Sequence, residues 1–168
     1  MAQTHSLSSS IRLNEETYTS PDEYPLIEQA WHALTEWEQW RNWLPEIVQR
    51  SHIDEGESGR GSGFRIYTPS SVQMWTISHW QPGHRLGFIV DGASQQSALG
   101  ITFAENEADG SLDILLEAEY EFSGMRRLLA PVLLRWRARY LQNFLRALSL
   151  QISNNSTPSE MIYQDLEP

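Results

Sequence analysis

The 168-residue chain contains no cysteine and no lysine. Without cysteine there is no disulfide, no thiolate nucleophile, no Cys-ligated zinc and no iron–sulfur cluster, a usage that fits a reducing compartment. Without lysine, Schiff-base and lysine-base chemistry are excluded, and every basic residue is an arginine. No run of 18 apolar residues occurs, so no membrane-spanning helix is expected. The start, Met-Ala-Gln-Thr-His-Ser, lacks the basic and apolar segments of a secretory signal, and the expected location is cytoplasmic. Positive charge is scarce overall: a formal net charge of -10 argues against nucleic acid as the main partner, since phosphate binding needs a cationic footprint.

What positive charge there is gathers in one place. Residues 125–150 hold six of the twelve arginines and no Asp or Glu. Wound at about 100° per residue, Leu134, Ala138, Leu141, Leu145 and Leu148 stack on one side, widened by Leu133, Tyr140 and Phe144. Arg135, Arg139, Gln142, Asn143 and Arg146 fall opposite, while Arg137 projects among the apolar residues. The stretch therefore reads as a long helix that the rest of the chain must cover. Its arginine face, through Arg135, Arg139 and Arg146, is either solvated or meets an acidic protein or an anionic membrane surface.

A chain of this length makes one domain, burying about 70% of the surface its unfolded form exposes. Residues 1–10 are Ser-rich and read as a flexible N-terminus; residues 11–152 form the domain, and residues 153–168 a disordered tail. Residues 11–19 alternate as a strand. Ser20-Pro21-Asp22-Glu23 then opens a helix, with Ser20 as N-cap, followed by the stripe Tyr24, Ile27, Ala30, Trp31, Leu34. A second short helix, stopped by Pro45, repeats tryptophan at Trp37, Trp40 and Trp43; these indoles are either core or a platform for a flat ligand. Beyond it the pattern becomes six strands divided by turns: residues 47–53, 63–68, 72–80, 85–91, 97–104 and 111–122. The last is clearest, with Leu112, Ile114, Leu116, Ala118, Tyr120 and Phe122 on one face and mostly acids on the other. Six strands joined by short turns make an antiparallel meander, with the terminal helix filling its inner side.

This order, and three motifs within it, resembles the SRPBCC or START-like superfamily, the Bet v 1-like helix-grip proteins of polyketide cyclase/dehydrase and lipid-transport type. The motifs are Ala30-Trp31-His32-Ala33-Leu34 with Trp37, Trp43-Leu44-Pro45-Glu46 and Ile47; Gly61-Ser62-Gly63-Phe64; and the hairpin from Ile77 to Leu86, with Trp80, Pro82 and Arg85 at the matching places. The resemblance spans residues 11–150. It implies an α+β helix-grip: a curved seven-stranded antiparallel sheet around the long C-terminal helix, with two short helices between the first two strands. It also implies an apolar cavity between sheet and helix for a small hydrophobic ligand such as a lipid, isoprenoid or polyketide.

On the inward faces stand Phe64, Ile66, Trp75, Ile77, Phe88, Leu99, Ile101, Phe103, Leu116, Ala118, Tyr120, Leu134, Leu141 and Leu145, expected either to line that cavity or to pack together with no room left. The facing of residues 72–80 depends on hairpin loop length and stays open. Arg137 must find an anion or carbonyls: a ligand oxygen, a strand carboxylate, or the cavity mouth. His79 and Tyr120 are the candidates for proton transfer if the protein is a cyclase or dehydratase rather than a binding protein. His79 and His84 with Asp91 are similar to the iron ligands of ring-hydroxylating oxygenases, but the histidines straddle a Pro-Gly turn, and neither metal nor cofactor is expected. The expected functions are ligand carriage, cyclase/dehydratase catalysis, or partner binding through the arginine face.

Overall fold

The computed structural model describes residues 3–14, 24–44, 48–53, 58–92, 95–122, 124 and 128–156. Seven strands form one antiparallel sheet: β1 (Gln3–Leu13), β2 (Arg50–Ile53), β3 (Gly63–Tyr67), β4 (Val72–Gln81), β5 (Arg85–Gly92), β6 (Gln95–Asn106) and β7 (Ser111–Phe122). Their order is β1-β7-β6-β5-β4-β3-β2, so β2 to β7 run as the expected meander and β1 pairs back onto β7. Helix α1 (Leu26–Thr35), a 3-10 turn over Trp37–Gln39 running into the short α2 (Trp40–Trp43), and the long α3 (Ala130–Ser156) complete the fold. All three helices bury side chains in one core with the inward face of the sheet.

The serine-rich start is not a loose tail. Gln3 to Leu13 pairs residue for residue with Phe122 to Leu112. The reason lies in β7, whose twelve residues would otherwise leave one long row of backbone N–H and C=O groups unpaired. Backbone pairing outweighs the weak strand preference of serine. Side chains alternate accordingly: Leu7, Ser9 and Ile11 are half-buried and Leu13 buried, while Ser6, Ser8, Ser10 and Arg12 are exposed. On that outer side Arg12 makes a two-pronged contact with Asp113, both bonds 2.7 Å, which pulls the Asp113 carboxyl below its usual range. The strand expected over residues 11–19 is thus displaced toward the N-terminus; its second half and the Ser20-Pro21 helix opening lie outside the described residues.

Trp37 opens a 3-10 turn, in which residues three apart eclipse, so Trp40 follows on its side; the single α-helical turn of α2 then keeps Trp43 near that side. Trp37, Trp40 and Trp43 are all buried. Trp37 stacks on Phe64 with ring centres 4.6 Å apart, and Trp40 sets its edges against Trp75, Phe88 and Phe144. Trp37 Nε1 donates to Ser58 Oγ at 3.1 Å, and the buried Ser51 hydroxyl donates to the Trp37 carbonyl, tying β2 to the turn. These indoles are core, and they seal one end of the grip.

Strand β4 carries the fold's main irregularity. Ile77 pairs with Phe88 but His79 pairs with Gly87, so Ser78 is an extra residue, a β-bulge. Before the bulge Trp75 and Ile77 face inward; after it the parity switches, Trp80 turns in against Trp31, and His79 turns out to solvent. Gly87 accommodates the bulge, since a Cβ there would sit 2.9 Å from Ser78 Oγ and 3.1 Å from His79 Cβ.

Helix α3 starts at Ala130 rather than Met125, and residues 125–127 lie outside the described residues. Pro131 in the first turn suits a helix start, where its missing N–H is not needed. At the other end α3 passes Leu150 to Ser156, so residues 153–156 of the expected tail are helical, while 157–168 lie outside the described residues. The extra length adds Ile152 to the buried stripe of Leu141, Phe144, Leu145 and Leu148. Arg135, Arg139, Gln142, Asn143 and Arg146 face solvent as their spacing requires.

Candidate functional site

The interior is half filled. Phe144 of α3 sets its ring against Trp40 and Trp43, and Leu141, Leu145, Leu148 and Ile152 are buried in the same core. The same stripe carried one turn back from Leu141 arrives at Arg137. Facing it on the sheet stand two small side chains, Ala118, between Leu116 and Tyr120 on the inward face of β7, and Ser97 of β6. Small residues on the sheet opposite a side chain that cannot join an apolar core leave a cavity of about 510 Å³. Trp75, Val90, Leu99, Ala118 and Tyr120 line it from the sheet, Trp136, Arg137 and Tyr140 from α3. Its rim is the β3–β4 turn, where Thr68 N–H donates to the Ser71 carbonyl at 2.9 Å and Ser71 N–H to Thr68 Oγ1 at 3.0 Å.

Of the residues expected to line a cavity, the structure brings Trp75, Leu99, Ala118, Tyr120 and Arg137 together. The others do not reach it. Phe64, Ile66, Ile77, Phe88, Ile101, Phe103, Leu116, Leu141 and Leu145 are buried in the core, and Leu134 packs partly buried against it. The physical reason is the aromatic cluster from the 3-10 turn and α2, whose indoles occupy the space the sequence pattern left open. Tyr140, Val90, Ser97, Gln73 and the Thr68–Ser71 turn were missed. A signal existed for the first: a hydroxyl at the edge of an apolar stripe, one turn from an inward arginine.

His79 does not line the cavity. It is exposed on the outer side of the sheet, its ring nitrogen 3.4 Å from Ser78 Oγ, because the bulge reverses the strand's facing there. His84 is exposed as well, and among the described residues no three His, Asp or Glu side chains stand close enough to share a metal ion.

Arg137 sets the electrostatics. Its guanidinium carbon lies 5.3 Å from the Tyr120 ring centre and 5.3 Å from that of Trp136, and among the described residues it makes no ion pair. Ring faces offer a cation partial compensation, with the guanidinium N–H donors left over. Burial pushes the Tyr120 hydroxyl above its usual pKa, with Arg137 pulling the other way. The Tyr140 phenol is pushed up to about 12, by burial first, then by Tyr120, again opposed by Arg137. Both phenols are therefore protonated donors at neutral pH. The cavity presents apolar side chains, one cation, two phenol donors and a polar margin of Thr68, Ser70, Ser71, Gln73 and Ser97, an arrangement that can seat a molecule with an apolar body and an oxygen-bearing head.

The model of the polyketide cyclase/dehydrase and lipid-transport family matches residues 27–151, and the chain belongs to that family. No curated protein matches it. Among solved structures it is similar to a START superfamily protein from Mycobacterium smegmatis, at TM-score 0.68 and 14% identity, covering 89% of this chain and 98% of that one. It is also similar to Ara h 8.0201, at TM-score 0.66 and 14% identity over 91% of this chain and 100% of that one. A third is norcoclaurine synthase from Thalictrum flavum, in complex with dopamine and hydroxybenzaldehyde, at TM-score 0.66 and 12% identity, covering 93% and 90%. At such identities the likeness establishes the fold: an α+β helix-grip with an antiparallel sheet and a long C-terminal helix. Among the described residues, no helix is long and apolar enough to cross a membrane.

Proposed function

We propose that the protein binds and carries a small, largely apolar molecule bearing one carbonyl or carboxylate group, seated between β4–β7 and the first half of α3. The observation that carries this reading is Arg137, without an ion pair among the described residues, on the wall of a cavity of about 510 Å³, a volume within the roughly 300–1,000 Å³ usual for small-molecule sites. The apolar body packs on Trp75, Leu99 and Ala118, and the oxygen meets Arg137 with Tyr120 and Tyr140 as further donors. Lipids, isoprenoids and polyketide-like molecules all meet this description, and the family's description is consistent with them.

Catalysis is the second reading, and one observation favours it: two protonated phenols beside a cation can stabilise a developing enolate oxygen. Against it, among the described residues no His, Asp or Glu lines the cavity, so an aldol-type cyclisation finds no general base among them. Carriage is therefore the better supported of the two.

Calorimetric titration with decanoate and with decanol tests the reading. Decanoate is expected to bind, and Arg137→Met to weaken it about tenfold or more, the size of a lost charge-assisted hydrogen bond, while decanol binding changes little. Failure of both probes to bind, or decanoate affinity unchanged in Arg137→Met, overturns it.

A further inference from the structure

We propose that the start of α3 docks the cavity mouth onto an anionic membrane surface. Soluble helices bury their large apolar side chains, yet here Leu128 is 81% exposed, Leu129 57%, Val132 70% and Trp136 61%. They form one surface. Val132 and Leu133 N–H both donate to the Leu129 carbonyl, so helical geometry reaches back to Leu129, and Leu129, Val132 and Trp136 recur at helical spacing. Arg135 and Arg139, both exposed, lie on the same side, three and seven residues beyond Val132.

The chemistry of the patch selects its occupant. Aliphatic side chains with one tryptophan, flanked by arginines, fit the boundary between acyl chains and anionic head groups. The charge distribution points the same way: a chain of net charge -10 carries no acid between residues 125 and 150, so this is the part of the molecule that an anionic surface attracts. A second copy fits less well, because two-fold pairing of this patch would gather the arginines of both copies in one interface.

The surface also adjoins the cavity. Trp136 belongs to both, and the opposite rim is the uncharged turn Thr68–Ser71, followed by a half-exposed Val72. Docking there would place the mouth against lipid, letting an apolar cargo pass without crossing water. The proposal stands on surface residues and does not require the cargo's identity.

The test is co-sedimentation with phosphatidylcholine vesicles, plain or containing about a third phosphatidylglycerol. The full chain is expected to bind the anionic vesicles about tenfold or more tightly than the neutral ones, with affinity falling as salt rises. Replacing Leu128, Leu129 and Val132 together by serine is expected to cut partitioning about tenfold or more, since each buried apolar group contributes. Arg135→Gln with Arg139→Gln is expected to remove the preference for anionic lipid. In both variants melting temperature and decanoate affinity stay as in the parent, which separates this proposal from the carrier reading. Brominated lipids are expected to quench Trp136 fluorescence. The proposal is overturned if neither vesicle binds, or if the serine variant binds as the parent does. A dimer in sedimentation that the serine changes dissolve, or salt-sensitive binding to polyglutamate in place of vesicles, also overturns it.

Discussion

Gly87→Ala isolates the device that turns His79 away from the cavity. Gly87 is buried in β5, opposite His79 on one side and Gly100 on the other. An added Cβ would lie 2.9 Å from Ser78 Oγ and 3.1 Å from both Cβ and Nδ1 of His79. The serine hydroxyl and the imidazole can rotate; the His79 Cβ cannot, because it is fixed to the bulged backbone. Two effects oppose each other. Replacing glycine stiffens the unfolded chain and favours folding by about 0.4–1 kcal/mol, whereas overpacking a buried site costs about 1–3 kcal/mol. The clash wins, for a net loss of about 1–2 kcal/mol. In a domain of this size that lowers the Tm by about 2–8 °C. The matched control is Gly100→Ala, where the new Cβ meets only Arg85 Nη2 at 3.9 Å. There the entropic gain stands alone and stability is expected to rise by about 0.4–1 kcal/mol. Thermal and urea unfolding followed by circular dichroism measure both. A Gly87→Ala protein as stable as the parent, or a Gly100→Ala protein that loses as much, would refute the bulge as the cause.

Two further outcomes follow from buried polar groups. Tyr140 has its folded pKa raised to about 12, so the folded state holds that proton more tightly than the unfolded chain does. The stabilisation is complete below the unfolded phenol's value near 10 and is lost as pH rises toward 12. Tyr140→Phe is expected to flatten the fall in urea stability over that window, and an unchanged slope would contradict the assignment. Ser51→Ala leaves the buried Trp37 carbonyl without its donor and is expected to cost about 1–3 kcal/mol in urea unfolding. Ser51→Thr, which keeps the hydroxyl, recovers part of that loss.

The fold was legible where a pattern repeated over a whole element. The alternation of β7 and the stripe of α3 fixed which faces turn inward, and the motifs around Trp31, Gly61 and Trp80 fixed the order of elements. What escaped depended on long-range facts. Residues 3–10 read as loose because serine carries no strand signal; the unpaired edge of β7, more than a hundred residues away, recruits them. His79 read as a candidate because a cyclisation needs a base and the facing of residues 72–80 was open; a one-residue bulge with no local marker decides that facing and turns it outward. The cavity was expected along the whole helix because the pattern shows where apolar residues face, but not whether indoles from another segment fill the space. Arg137 and Tyr120 were legible because polarity on an apolar face must be answered by something, wherever the packing ends.

The most direct measurement is a crystal structure of the protein grown with decanoate. The account predicts the carboxylate within hydrogen-bond distance, about 3 Å, of the Arg137 guanidinium, with the chain against Trp75, Leu99 and Ala118. Decanoate lodged among Trp40, Phe64 and Phe88, or bound only outside the cavity, would contradict it.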